Sequence, residues 1–303
     1  MPFNNRLLIV LRAGHKEQPA LNRGCLIASR LGAQIHLIAD ERPRHQKHKD
    51  WLQSYVDQLT AEGFQAQEAV WGKGDLIDNV LAAVRKEAHG LVIKYSDRSR
   101  PLAEALYTPR DWKLLRYVSC PVLIVRQQDS WESRPLVAAI DADPEDVDHS
   151  LLNRQILKMG SQVAEISQSP LHLVTAYPSP MQSAAREHQT EAAMGLRFRS
   201  YCESLCDTLS ISPAHQEVAE GPAEVLIPKY CKQQNAGLVV MGTVARSGLR
   251  GALLGGNTAE AILTQLNADV LALKPEGYED ILQMLSDHSQ AEGSSPLKEV
   301  IDE

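Results

Sequence analysis

The chain lacks several features that would assign it to a functional class at once. It has no surplus of basic charge: 31 Lys and Arg stand against 38 Asp and Glu, for a formal net charge of −7 and a pI near 5.8. A nucleic-acid binder would carry a basic face, so that class is set aside. Long apolar runs are missing as well. The longest, such as Leu7–Leu11 and Gly237–Met241, are strand-sized and far short of the roughly 20 residues of a membrane span. The apolar run that begins at Leu7 stops at Arg12, too soon for a signal-peptide core, so a cytoplasmic location is the default expectation.

Cysteine is scarce and odd in number (Cys25, Cys120, Cys202, Cys206 and Cys231). That excludes the dense pattern of an oxidised secreted scaffold and favours reduced thiols. Cys202 and Cys206 lie one helical turn apart, but no histidine or second cysteine pair follows at zinc spacing, so they read as helix packing. His45 and His48 sit among the cations of Arg44–Lys49, a solvated helix start rather than a metal site. No Ser-His-Asp spacing, no P-loop lysine and no metal-ligand cluster is visible, and so no catalytic constellation.

What the chain does have is a core and a repeat. Hydrophobic residues make up 44% and charged residues 23%, a globular balance over a length of roughly two domains. Gly72–Ser96 and Glu220–Thr243 align with each other: Gly74 falls opposite Gly221, and Gly90–Ile93 opposite Gly237–Val240. In both, an apolar-periodic helix ends at a glycine and feeds a continuous apolar strand, the crossover of a parallel sheet. Leu7–Leu11 and Val137–Ile140 open the two halves, Ile35–Ala39 and Leu171–Ala176 follow, and Val122–Val125 and Val270–Leu273 close them. The expectation is α/β: two tandem, doubly wound, mostly parallel five-stranded layers, each a sheet of its own, packed about a pseudo-two-fold axis. Gln127–Pro135 is the linker, and the second half has a longer helical excursion near 178–209. The domains are placed at 1–130, 131–276 and an acidic tail, 277–303, of which 278–288 reads as a short amphipathic helix and the rest as disordered.

The segment with chemistry in it runs from Gly242 to Thr258, after the fourth strand of the second half and before a helix at 259–266. Its glycines would let backbone N–H groups approach phosphate oxygens, the helix start adds a positive dipole end, and Arg246 and Arg250 could add charge. The competing reading is a plain surface loop with an Asn/Thr helix cap.

Met241-Gly242-Thr243 through Gly255 resembles the nucleotide loop of universal stress proteins, G-x-x-G-x9-G-S/T. So do Val137–Asp141 as the family's first strand, Glu220–Leu226 as the entry to its third helix, and Asp269–Pro275 as its closing strand. Gly242-Thr243-Val244 with Gly256-Asn257-Thr258, and Thr108–Arg116 in the first half, resemble the tandem, E-type branch. The resemblance spans Arg6–Pro275. It implies an adenine-nucleotide α-hydrolase-like fold, a pseudo-dimer whose closing strands meet antiparallel, and a site for ATP or a related nucleotide, with magnesium, in the second half. The candidate residues are Asp141, Gly242, Thr243, Ala245, Arg246, Gly248, Gly255, Gly256, Asn257 and Thr258. The motif is altered at two of them, with Ala245 for the second glycine and Gly256 for the hydroxyl, which is expected to weaken ATP binding. Asp141 is open between nucleoside contact and strand-end cap.

In the first half Arg12 stands where Asp141 does, and Asp97–Pro101 replaces the glycine loop. Lys94, Arg12 and Arg98 form either a small basic pocket or charges paired with local carboxylates. The function expected is a non-enzymatic, stress-associated module for a small ligand or nucleotide. The alternatives are a weak ATPase, for which Asp141 and Glu260 are the candidates, or a scaffold for a lipid-like ligand or protein partner. Self-association beyond the pseudo-dimer is left open.

Overall fold

The computed structural model describes residues 5–42, 46–96, 109–179, 190–243 and 257–275. The first half runs β1 (Arg6–Leu11), α1 (Pro19–Leu31), β2 (Gln34–Ala39), α2 (Gln46–Ala61), β3 (Ala66–Glu68), α3 (Leu76–Glu87), β4 (Leu91–Tyr95), α4 (Pro109–Tyr117) and β5 (Val122–Val125). The second runs β6 (Leu136–Ala139), α5 (Val147–Ser167), β7 (Leu171–Tyr177), α6 (Glu191–Leu209), β8 (His215–Glu220), α7 (Ala223–Gln233), β9 (Leu238–Gly242), α8 (Asn257–Gln265) and β10 (Asp269–Leu273).

The central strands are apolar on both faces because helices cover both. Leu7, Ile9 and Leu11 pack with α1 and α2 on one side, and Leu8 and Val10 with α3 and α4 on the other. The second half repeats this with α5 and α6 on the first side and α7 and α8 on the second. Gly24 lets α1 close on the sheet, since a Cβ there would lie 2.1 Å from the Ile9 Cδ1. Gly74 and Gly221, aligned in the repeat, both take positive φ (+93° and +131°) at the turn that starts α3 and α7. The strands β3 and β8 lie at the outer edges, and their polar sequences AQE and HQEVAE match half-covered edge positions. Cys202 and Cys206 pack in the core of α6, as their spacing suggested; burial pushes the Cys202 thiol up to about 12.

The strand order is β3-β2-β1-β4-β5-β10-β9-β6-β7-β8, so the halves have the same internal order. One expectation is corrected. The five-stranded layers are not separate sheets: β5 and β10 pair antiparallel, with Leu123 opposite Leu271, and fuse them into one ten-stranded sheet. Each closing strand is fully buried, and an unpaired row of N–H and C=O groups there would be costly without the other strand. The antiparallel meeting of the closing strands is the one the resemblance implied.

The stretch read as a polar linker is a packed connector. Asp269 is wholly buried and accepts from four donors: Arg23 Nε (2.9 Å) and Trp131 Nε1 (2.7 Å) on one oxygen, and the backbone N–H groups of Arg126 (2.7 Å) and Gln127 (3.0 Å) on the other. The Arg23 guanidinium also lies over the Trp131 ring, 4.7 Å from its centroid, and donates to the Asp129 carbonyl. On the other face, Lys274 of the second half donates to the Arg116 carbonyl (3.1 Å) and to that of Val118, at the end of α4. A cation at a helix C-terminus is favourable, yet burial drives the Lys274 pKa down to about 7. The acidic tail and its 278–288 helix lie outside the described residues.

Two outcomes follow for stability. Asp269→Ala leaves the Arg23 cation buried without its counter-charge, which should cost about 3–5 kcal/mol as read by the denaturant midpoint; an unchanged midpoint would contradict this role. For Lys274, the unfolded chain keeps the proton up to the usual 10.5 while the folded chain sheds it near 7. Between those pH values the unfolded state binds more protons, so wild-type stability should rise relative to Lys274→Met from pH 7 to about 10.5. Parallel unfolding curves of the two proteins across that range are the check.

Candidate functional site

In the second half the chain goes from β6 outward to β7 and β8, then returns to the other side of β6 as β9 and β10. The order reverses between β6 and β9, and the crevice outside the carboxyl ends of two such strands is where open α/β sheets bind ligands. Asp141 sits just past β6, and Gly242 ends β9 with Thr243 following it, Ala139 lying opposite Met241.

The backbone at Asp141 is held in a clasp. Its N–H donates to Asn153 Oδ1 (3.2 Å), and Asn153 Nδ2 donates back to its carbonyl (2.6 Å). Asn153 lies on α5 and is 1% exposed. The next residue is held by the buried Thr175, with the Ala142 N–H donating to its Oγ1 (3.3 Å). Asp146 caps α5, accepting from the His149 N–H (3.2 Å), and its other oxygen pairs with His149 Nδ1 (2.7 Å). The carboxylate that caps α5 is therefore Asp146. Asp141, Asp146 and His149 bring one ligand atom each to within 4.8 Å of one another. Two carboxylates would repel a phosphate directly, and they fit a nucleotide only with a divalent cation between. Sequence reading missed Asp146, His149 and Asn153. The i, i+3 spacing of Asp146 and His149 was the available signal.

Other expected residues take different roles. Gly242 is required by packing, since a Cβ there would lie 2.5 Å from Leu152 Cδ2 of α5. Thr243 is buried, and both its N–H (3.1 Å) and Oγ1 (3.4 Å) meet the Leu273 carbonyl at the end of β10. Its hydroxyl thus serves the sheet. Thr258 is exposed in the first turn of α8. Asn257 is the first residue of that helix, so the loop ends there and not at 259. Glu260, named for hydrolysis, pairs with Arg116 of the first half (3.1 Å). Ala245, Arg246, Gly248, Gly255 and Gly256 lie outside the described residues.

The matching switch point of the first half holds a buried ion pair. Lys94, matching Met241, donates to Asp111 Oδ1 (2.7 Å), and Ser96 to Asp111 Oδ2 (2.7 Å), all three buried. Of the two readings of these charges, pairing with a local carboxylate holds for Lys94. Arg12 lies over the Tyr95 ring (4.8 Å to its centroid); Arg98 is outside the described residues. Gln18 clasps Arg12 as Asn153 clasps Asp141, accepting from its N–H (2.9 Å) and donating to its carbonyl (2.8 Å). A cleft of about 920 Å³ in this half is lined by Asp40, Arg42, His48, Trp71, Asp75 and Arg110.

The Asn153 clasp predicts a measurable loss. Asn153→Leu leaves the Asp141 N–H and C=O without that partner and should destabilise the fold by about 1–3 kcal/mol in chemical denaturation. A change within a few tenths of wild type would show that the clasp holds nothing.

The sequence model of the universal stress protein family matches residues 146–274. A Haemophilus influenzae protein named universal stress protein E homolog is 32% identical over 242 residues, 78% of each chain. The Escherichia coli protein named universal stress protein E is 27% identical over 312 residues, covering 94% of this chain and 98% of its own. A crystal structure of a universal stress protein from Pseudomonas aeruginosa superposes with a TM-score of 0.80 at 34% identity, over 94% of this chain and 98% of that one. With both halves built alike and relatives matching across them, the chain belongs to the universal stress protein family, in its tandem E-type form.

Proposed function

We propose that this stress protein binds an adenine nucleotide, as its magnesium complex, at the second-half switch point, and that it acts by binding and not by turnover. The observation that carries the reading is the clasped Asp141 beside Gly242, at the one of the two switch points that no buried ion pair closes among the described residues. Asp141 and Asp146 would hold the magnesium, whose charge offsets the phosphates. The segment 244–256, by the resemblance, would supply backbone N–H groups to them. Hydrolysis needs a carboxylate free to position water, and Glu260 is engaged by Arg116 instead. By the resemblance, Ala245 would add a methyl at the motif's second glycine and Gly256 would lack the motif's hydroxyl. A lost hydrogen bond to a charged group is worth about 1.5–3 kcal/mol, so affinity should be modest.

Thermal melts in millimolar ATP and magnesium test this. A ligand at about 100 times its Kd stabilises the folded state by roughly 2.7 kcal/mol. The wild type should shift upward, Asp141→Asn should shift less, and Arg12→Ala at the first-half switch point should shift as wild type does. Phosphate release should stay at the uncatalysed level. An equal shift in wild type and Asp141→Asn would place any nucleotide elsewhere.

A further inference from the structure

At the opposite, amino end of the first-half strands lies a cluster with no part in the candidate site. His36, the third residue of β2, points to the face covered by α3, where its neighbours in the ladder are Leu8 and Gln67. Its Nδ1 lies 3.0 Å from Glu87 Oε2 at the end of α3 and 2.8 Å from His89 Nε2 in the following turn. Both imidazoles are buried, at 1% and 3% exposure, while the Glu87 side chain is 22% exposed. The rings meet edge-on, with centroids 4.7 Å apart and planes at 85°. Arg6 holds the helix end by donating to the Glu87 carbonyl (2.7 Å).

The outer ring nitrogens decide what the inner ones can be. His89 Nδ1 faces the Ala83 carbonyl at 3.1 Å, so it carries the proton and His89 Nε2 is a bare lone pair. His36 Nε2 faces the Gln67 carboxamide at 2.9 Å. If Gln67 presents its N–H₂ there, His36 is protonated on Nδ1, and that one proton serves both His89 and Glu87. With the amide turned over, Gln67 Oε1 accepts from His36 Nε2–H, and three lone-pair donors converge: two imidazole nitrogens and a carboxylate. Each ring would then donate its far N–H to a carbonyl or carboxamide oxygen, the arrangement that orients histidines bound to a metal.

We propose that His36, Glu87 and His89 form a binding site for a divalent cation of the zinc class, with a fourth position open toward the half-covered Glu87 side. Two ligands about 2.0–2.1 Å from a tetrahedral zinc lie roughly 3.3 Å apart. The 2.8 and 3.0 Å separations therefore widen by only a few tenths of an ångström when the ion enters. Burial favours the uncharged form of both rings, lowering the His36 pKa and taking that of His89 down to about 4 against the opposing pull of Glu87, and the neutral ring is the form that coordinates. The ion would tie β2 to the end of α3 and the turn into β4. The second half cannot copy this site. Its matching histidine, His172, meets the Tyr230 hydroxyl at 2.8 Å, and His215 takes the place of Gln67.

The test is calorimetric titration of zinc into the metal-stripped full-length protein, with a thermal melt of each sample. The wild type should bind one zinc and melt higher with it. Loss of an outer-shell partner costs about 10–100-fold in metal affinity, so Gln67→Leu should weaken zinc by that much, and Glu87→Gln by at least about tenfold. Glu87 and Gln67 reach solvent, so these variants keep the test valid if His89→Gln fails to fold. His172→Gln, at the matching place in the second half, should bind as wild type does. No zinc uptake by the wild type, or unchanged affinity in Glu87→Gln, would overturn the proposal. A loss confined to His172→Gln would do so too, and would assign the ion to the second half.

Discussion

The arrangement of the molecule turns on one buried carboxylate. Asp269 has no contact with water, and a charge in that position is tolerated only if donors surround it. Its four partners come from α1 and from the connector after β5, all first-half or linking residues, while Asp269 itself opens the last strand of the second half. The carboxylate therefore sets where the connector leaves the sheet, how Trp131 seats in the core, and the register in which β10 meets β5. The continuous ten-stranded sheet depends on that register. Lys274 and the Arg116–Glu260 pair link the halves on the other face, but they are respectively an amine whose charge is disfavoured by burial and a partly exposed ion pair, which contribute less.

Within this frame the two halves keep the same backbone device at the switch point and change its contents. A carboxamide clasps the backbone just past the first strand in both, Gln18 at Arg12 and Asn153 at Asp141, through main-chain groups that do not depend on the side chain there. In the second half that side chain is Asp141, and the neighbouring strand presents Met241 and Gly242. In the first half it is Arg12, and the neighbouring strand presents Lys94, whose charge is neutralised by Asp111 from α4. The switch points thus differ by a buried ion pair within the same fold. The His36 cluster shows the same freedom at the other end of the strands, where His172 and Tyr230 occupy the matching place in the second half.

The repeat, the α/β class, and eight of the ten strands were legible along the chain, because a strand covered on both faces must be apolar throughout and helices between such strands carry a 3.6-residue period. The two edge strands were not placed, since Ala66–Glu68 and His215–Glu220 are half-covered and look like loop sequence. The nearness of Asp141 and Gly242 at the second-half switch point was legible through motif position. Asn153 and His149 were not, for they come to Asp141 across a turn of α5, and nothing in a linear reading marks a buried asparagine as a backbone clasp.

What the sequence by itself determined is therefore the set of elements and their duplication, properties carried by local periodicity and by apolar runs. The tertiary structure alone decided that the two layers share one sheet, that Thr243 serves strand pairing, that Lys94 is neutralised, and that His36, Glu87 and His89 meet. Each of those depends on groups far apart in the chain, such as Asp269 with Arg23 or His36 with His89. Burial forces such groups to satisfy one another, and only the packed fold specifies which partner is within reach.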